Sequence, residues 1–172
     1  MKEYDVRKLL DNQTFTEEKI QECIDEKKLR KQSIDYEEIK GHIRKAENNL
    51  RFITENIKLR FLDWAITGCY YASYHAALAL IQAKGYTSKN HYATLCVLIK
   101  KFYRKELTEE DITLVAKFLD YHDVLFYVES KQKREDATYS TKTRFSEQDV
   151  EKLRIQATLF VNKTKDILET LK

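Results

Sequence analysis

Residues 69–86 read CYYASYHAALALIQAKGY, three tyrosines and a histidine followed by an alanine-rich run. Set on a 3.6-residue helix from about Asp63 to Lys84, the stretch resolves into stripes. Ala65, Gly68, Ala72, Ala76, Ala79 and Ala83 recur at threes and fours as one band of small side chains, which lets a second helix approach closely. Large residues flank that band: Trp64, Tyr71 and Leu78 at sevens, with Tyr70, Tyr74 and Ile81 beside them. Aromatic stripes at this spacing are most often core, with their hydroxyls satisfied internally. His75, one turn after Tyr71, stands open as either a hydrogen-bonded core imidazole or a functional group. It has no histidine or carboxylate at i±3 or i±4, and HExxH is absent, so no metal is expected. Gly85 fits the helix end.

Composition extends the helical reading to the whole chain. There is no proline among the 172 residues, and there are three glycines. Sheet proteins lean on both for their turns, so a meander or sandwich is excluded. Hydrophobic residues make up 42%, enough for a core, and charged residues 34%. The net charge of +3 is too mild to demand nucleic acid or to exclude it. The three cysteines, Cys23, Cys69 and Cys96, show no metal spacing and read as buried free thiols. MKEYDVRKLLDNQ at the start lacks the apolar centre of a signal peptide, and no apolar run reaches spanning length. The expected setting is reducing and cytoplasmic, away from a membrane.

The other segments follow the same logic. Asp35 and Glu38 have capping-box spacing and precede Ile39, Ile43, Ala46, Leu50, Ile53 and Ile57, one face of an amphipathic helix. KLRFLD at 58–63 turns the chain. Ser88 is expected to cap a helix over about 89–104, and TEED at 108–111 to open another that carries Ile112, Val115, Phe118 (or Leu119) and His122 on one side. SEQD at 146–149 opens the last helix, with Val150, Leu153, Ala157, Phe160, Thr164, Ile167 and Leu171 in line. Thr14 with Glu17 predicts a helix over about 15–31, but its stripe of Ile20, Cys23 and Ile24 is thin. The reading is therefore all-α: a polar N-terminal helical arm over 1–35, loosely attached, and an antiparallel up-and-down bundle of four to five main helices over 36–172.

YYASYHAALALIQAKGY, then KNHYATLCVLIKKF, then KREDATY, then FSEQDVEKLRIQATLFVNKTKDIL, in that order and spacing, resembles the HEPN superfamily of prokaryotic helical proteins. The resemblance covers about residues 37–172. It implies a four- or five-helix antiparallel bundle, a homodimer, and a minimal nucleotidyltransferase partner in a toxin–antitoxin pair. Many members are metal-independent ribonucleases with an Arg-x4–6-His motif. There the histidine handles protons at the ribose 2′-hydroxyl and the arginine stabilises the phosphorane. No arginine stands at that distance before His42, His75, His91 or His122; Lys117-x4-His122 is a lysine version. Arg134 takes the place of the family arginine, and Tyr139 that of its signature tyrosine. Tyrosine, with a reference pKa of about 10, is no imidazole at neutral pH.

Residues 130–144, SKQKREDATYSTKTR, lose all apolar periodicity and set Lys131, Lys133, Arg134, Lys142 and Arg144 against Glu135 and Asp136. Interleaved with Tyr139 and hydroxyls, these residues suit phosphate or RNA-backbone contacts. Tyr139 is also a candidate acceptor of a nucleotidyl group, by analogy with HEPN proteins modified near that motif. Three readings stand. The first is a dimeric nucleotide- or RNA-binding module, one half of a two-component system. The second is an endoribonuclease using Arg134 with His122 or His75. The third is a purely structural interaction protein. None calls for a cofactor.

Overall fold

The computed structural model describes residues 3–118 and 146–171. In chain order its elements are α1 (Glu3–Asp11), α2 (Gln13–Asp25), β1 (Leu29–Lys31), α3 (Tyr36–Lys58), α4 (Leu62–Gln82), β2 (Tyr86–Ser88), α5 (His91–Phe102), α6 (109–118 in its described part) and α7 (Glu147–Thr170). The fold is an all-α antiparallel bundle centred on α4, which packs against α3, α5 and α7.

The α3–α4 hairpin follows from three local features. The Asp35 carboxylate accepts the backbone N–H groups of Glu37 and Glu38 at 2.9 and 3.1 Å and starts α3. Arg60, at φ 62°, reverses the chain at the far end. The small band of α4 then lets the two helices close together. Ala65, Gly68, Ala72, Ala76 and Ala79 are all buried, and a Cβ added to Gly68 would lie 2.7 Å from Cγ1 of Ile53. The band is thus consumed within the protomer rather than left for a dimer seam. On α7, Val150, Leu153, Ala157, Phe160, Thr164 and Ile167 are buried as the sequence pattern requires. Ser146 and Thr108 stand at the starts of α7 and α6, each in reciprocal contact with an aspartate three residues on. Cys23, Cys69 and Cys96 are buried free thiols.

Three expectations need correction. The helix expected over 15–31 starts two residues earlier, where Asn12 Oδ1 accepts Phe15 N–H at 2.9 Å, and it ends at Asp25. Lys27 adopts φ 59°, with Lys28 N–H bonded to Cys23 O (2.9 Å) and Lys27 N–H to Ile24 O (3.0 Å), a left-handed closure that stops α2. Leu29–Lys31 is then free to pair antiparallel with Tyr86–Ser88, a partner too distant in sequence to leave a local signal. Secondly, the described part of the N-terminal arm, residues 3–35, is not loosely attached. Leu9 and Leu29 are fully buried, Ile20 and Cys23 nearly so, and all belong to the common core. Thr16 is also buried and donates its hydroxyl to Leu9 O at 2.7 Å, tying α2 to α1. Thirdly, α5 is capped by Asn90, whose Oδ1 accepts Ala93 N–H at 2.9 Å, and not by Ser88. Ser88 instead accepts the N–H of Asn90 at 2.9 Å.

Candidate functional site

Antiparallel packing of α3 on α4 sets His42 against His75. Their Nδ1 atoms are 3.0 Å apart and their ring centroids 5.3 Å. A hydrogen bond between two ring nitrogens needs one proton, so one Nδ1–H donates and the other Nδ1 accepts. The pair then offers its surroundings one Nε2 acceptor and one Nε2–H donor. Burial lowers the pKa of His75 to about 4, reinforced by His42 and by Lys45. Burial also lowers that of His42, with Lys45 adding to the effect and Glu38 opposing it. Both rings are neutral at pH 7. That arrangement can take or give a proton without carrying charge beforehand.

Tyr71, one aromatic neighbour of the pair, is open to solvent and continues an exposed aromatic face along the α3–α4 hairpin. Tyr71 stacks on His75 at 6.5 Å and is 44% exposed, and Trp64, two turns earlier on the same face, is 55% exposed. Phe52, which covers Gly68 from α3, is also exposed. These faces are available to a base or to another aromatic surface.

The rest of the tyrosine cluster has a different role. Tyr70 is 3% exposed, and its hydroxyl lies 2.8 Å from Nε2 of His91. Tyr74 packs on His91 with centroids 4.0 Å apart and runs parallel to Tyr70, while Phe118 meets Tyr70 edge-on. Burial pushes the pKa of Tyr70 well above its ordinary value, so it remains a neutral hydrogen-bonding group. About 10 Å³ is left among these side chains, too little for a ligand. The cluster pins α4 to α5 and α6.

Of the candidate residues, His75 lies within the described structure. His122, Lys131, Lys133, Arg134, Tyr139, Lys142 and Arg144 lie outside the described residues. The sequence reading missed His42 as the partner of His75. The signal was present: once the turn is placed at Leu59–Phe61, His42 and His75 stand nearly equidistant from it. Among the described residues no group of three or more His, Cys, Asp or Glu side chains is placed to hold a metal ion, and the imidazole pair alone supplies two nitrogens. No helix there is long and apolar enough to cross a membrane.

Two further cavities line the surface. One, of about 340 Å³, lies between the N-terminal half of α3 and the ends of α4 and α7, with Ile39, Ile43 and Leu168 as its floor and Arg44 and Lys165 on its rim. The other lies beside the β1–β2 pair.

Comparison with known proteins agrees with this architecture. The chain is 26% identical over 132 residues to a protein of Methanocaldococcus jannaschii named "Putative toxin MJ0142", covering 76% of this chain and 82% of that one. It is 24% identical over 130 residues to an Archaeoglobus fulgidus protein named "UPF0332 protein", covering 76% and 94%. The family model described as "HEPN domain" matches residues 39–167, from the first turn of α3 to the last turn of α7, and with that span matched the chain belongs to the HEPN family.

Proposed function

We propose that this HEPN protein is one half of a two-component, toxin-like system: a cytoplasmic, dimeric module that binds nucleotide or RNA and docks a minimal nucleotidyltransferase. The observation that carries the reading is the match to the relative named as a toxin, 82% of whose length this chain covers. That relative is therefore little more than the same helical unit. The exposed ring of Tyr71 beside two neutral imidazoles, with Trp64 exposed two turns earlier on the same face of α4, supports a role in stacking unpaired bases. Residues 130–144 supply the proposed phosphate contacts through Lys131, Lys133, Arg134, Lys142 and Arg144, with Tyr139 as the proposed nucleotidylation acceptor.

Induced expression should arrest growth, and co-expression of a small nucleotidyltransferase encoded beside this gene should relieve the arrest. The relieved protein should gain the mass of one or more nucleotidyl groups, and Tyr139→Phe should abolish the gain. An unhindered culture, or relief with no physical association between the two proteins, would defeat the reading.

One observation favours a ribonuclease alternative: the His42–His75 pair presents a proton donor and a proton acceptor together. In that reading Arg134 supplies the charge and His75 or His122 the proton transfer. RNA incubated with the protein in EDTA would then be cut, and His75→Ala or Arg134→Ala would stop the cutting. Intact RNA with binding retained returns the choice to the binding module. Loss of both RNA binding and partner binding would leave only a structural role.

A further inference from the structure

The β1–β2 pair joins the N-terminal segment to the bundle and gathers cations that the sequence keeps apart. Its register sets Leu29 opposite Ser88, Arg30 opposite Thr87 and Lys31 opposite Tyr86. Around it opens a cleft of about 280 Å³ lined by Lys27, Lys28, Arg30, Thr87, Ser88, Lys89 and Asn90. Four of those side chains are cationic, and no carboxylate is among them. The chain holds 28 acidic residues against 31 basic ones, so a cleft with four cations and no acid departs from the surface at large. Lys28 is paired with Glu26 at 2.6 Å; Lys27, Arg30 and Lys89 have no ion pair among the described residues. Like charges converging on one concave surface repel each other unless an anion joins them.

The backbone that carries these charges is held firmly. Lys27 occupies the left-handed position that closes α2, and its N–H and that of Lys28 are both bonded back into the helix. Ser88 Oγ sits 3.0 Å from Lys28 O and bridges the two segments, while it also holds the N–H of Asn90. Lys89 and Asn90 lead directly into α5, whose first turn has no acidic residue, so the positive end of that helix adds to the field. The chemistry fits phosphate. Arg30 offers a planar fork, the lysines offer point charges, and Thr87 offers a hydroxyl. No aromatic ring lines the cleft, so nothing there stacks a base.

We propose that this cleft is a phosphate-binding site that takes a chain of phosphates, either the phosphodiester backbone of single-stranded RNA or a free polyphosphate. It rests on the RNA-binding reading above only for the RNA. The site is built by Lys27, Lys28 and Arg30, outside the matched family domain, together with residues 87–90 inside it. Contact is with the backbone and independent of base sequence.

The test compares the full chain with a triple variant, Lys27→Gly, Arg30→Gln and Lys89→Gln. Glycine suits the left-handed φ of residue 27, so that change removes a charge without straining the turn. Lys27→Gly alone should fold at least as stably as the wild type, which separates loss of binding from loss of folding. Binding of a fluorescein-labelled oligouridine is followed by anisotropy across a salt series, and binding of inorganic tripolyphosphate by calorimetry. The wild type should bind both. The triple variant should bind each about tenfold more weakly or worse, and its log K against log salt slope for RNA should be smaller by about 2, three contacts at about 0.7 each. If the wild type binds tripolyphosphate and the triple variant does not, while RNA binds neither protein, the site stands and the RNA reading fails. If the triple variant retains wild-type affinity and salt slope for RNA and wild-type affinity for tripolyphosphate, or the wild type binds neither probe, the site is overturned.

Discussion

At Gly68 the side chains of α3 leave no room for a Cβ on α4, and Gly68→Ala tests whether the small band of α4 sets that approach. In an exposed helix interior the change would gain up to about 1 kcal/mol of helix propensity. Here the new Cβ would lie 2.7 Å from Cγ1 of Ile53, 3.1 Å from Cδ1 of Phe52 and 3.5 Å from the carbonyl of Asn49. Carbon atoms rest at about 3.5–4.0 Å, so α3 must move away by roughly 1 Å or Ile53 must leave its place. Ile53 is fully buried, and its γ carbon is not the free end of a flexible chain. Overpacking of this kind costs about 1–3 kcal/mol, so Gly68→Ala should be destabilising by about 1 kcal/mol net. Ile53→Ala alone should cost about 2–5 kcal/mol through the cavity it leaves. In that background the methyl at position 68 partly fills the space, so the second change should reverse sign and stabilise. Urea unfolding at matched protein concentration measures all four corners of the cycle. A higher midpoint for Gly68→Ala in the wild-type background, or additivity within about 0.5 kcal/mol, would refute the close-approach reading.

Acid should weaken the fold through the imidazole pair. Burial holds the folded pKa of His75 at about 4, against an ordinary value of 6.5, and that of His42 is shifted in the same direction. The unfolded chain therefore binds more protons across that window, and stability is full above pH 6.5 and falls toward pH 4. Allowing for solvent around these half-buried rings, the loss should be about 1–2 kcal/mol. The double variant His42→Gln/His75→Gln should flatten the curve relative to the wild type, and equal slopes would count against a neutral pair. Tyr70→Phe removes a buried hydroxyl that bonds His91 and should cost about 1–2 kcal/mol in urea unfolding while leaving RNA affinity unchanged. Asp35→Ala uncaps α3 and should lower stability by about 1 kcal/mol, with Asp35→Ser restoring most of it.

What the sequence showed and what it hid divide along a physical line. The stripes of α3, α4 and α7 were legible because each helix repeats its buried face every three or four residues, so local spacing states which side turns inward. Caps such as Asp35 and Ser146 were legible for the same reason, since a side chain reaches only its own first turn. Two features were not legible from local spacing alone, the β1–β2 pair and the His42–His75 contact, and both depend on residues far apart in the chain. A three-residue strand has no period to detect, and Leu29–Lys31 in isolation continues the helical composition of α2. What ends that helix is Lys27 in a conformation more usual for glycine, which composition does not announce. The quartet Tyr70, Tyr71, Tyr74 and His75 shows the same division within six residues. Helical phase separates Tyr70 and Tyr74, which face α5, from Tyr71, which faces solvent, and it places His75 at the boundary. It says nothing of what crosses that boundary from α3. The partner of His75 comes from the close approach at the small band, so the residues that looked least chemical determine the geometry of the His42–His75 pair.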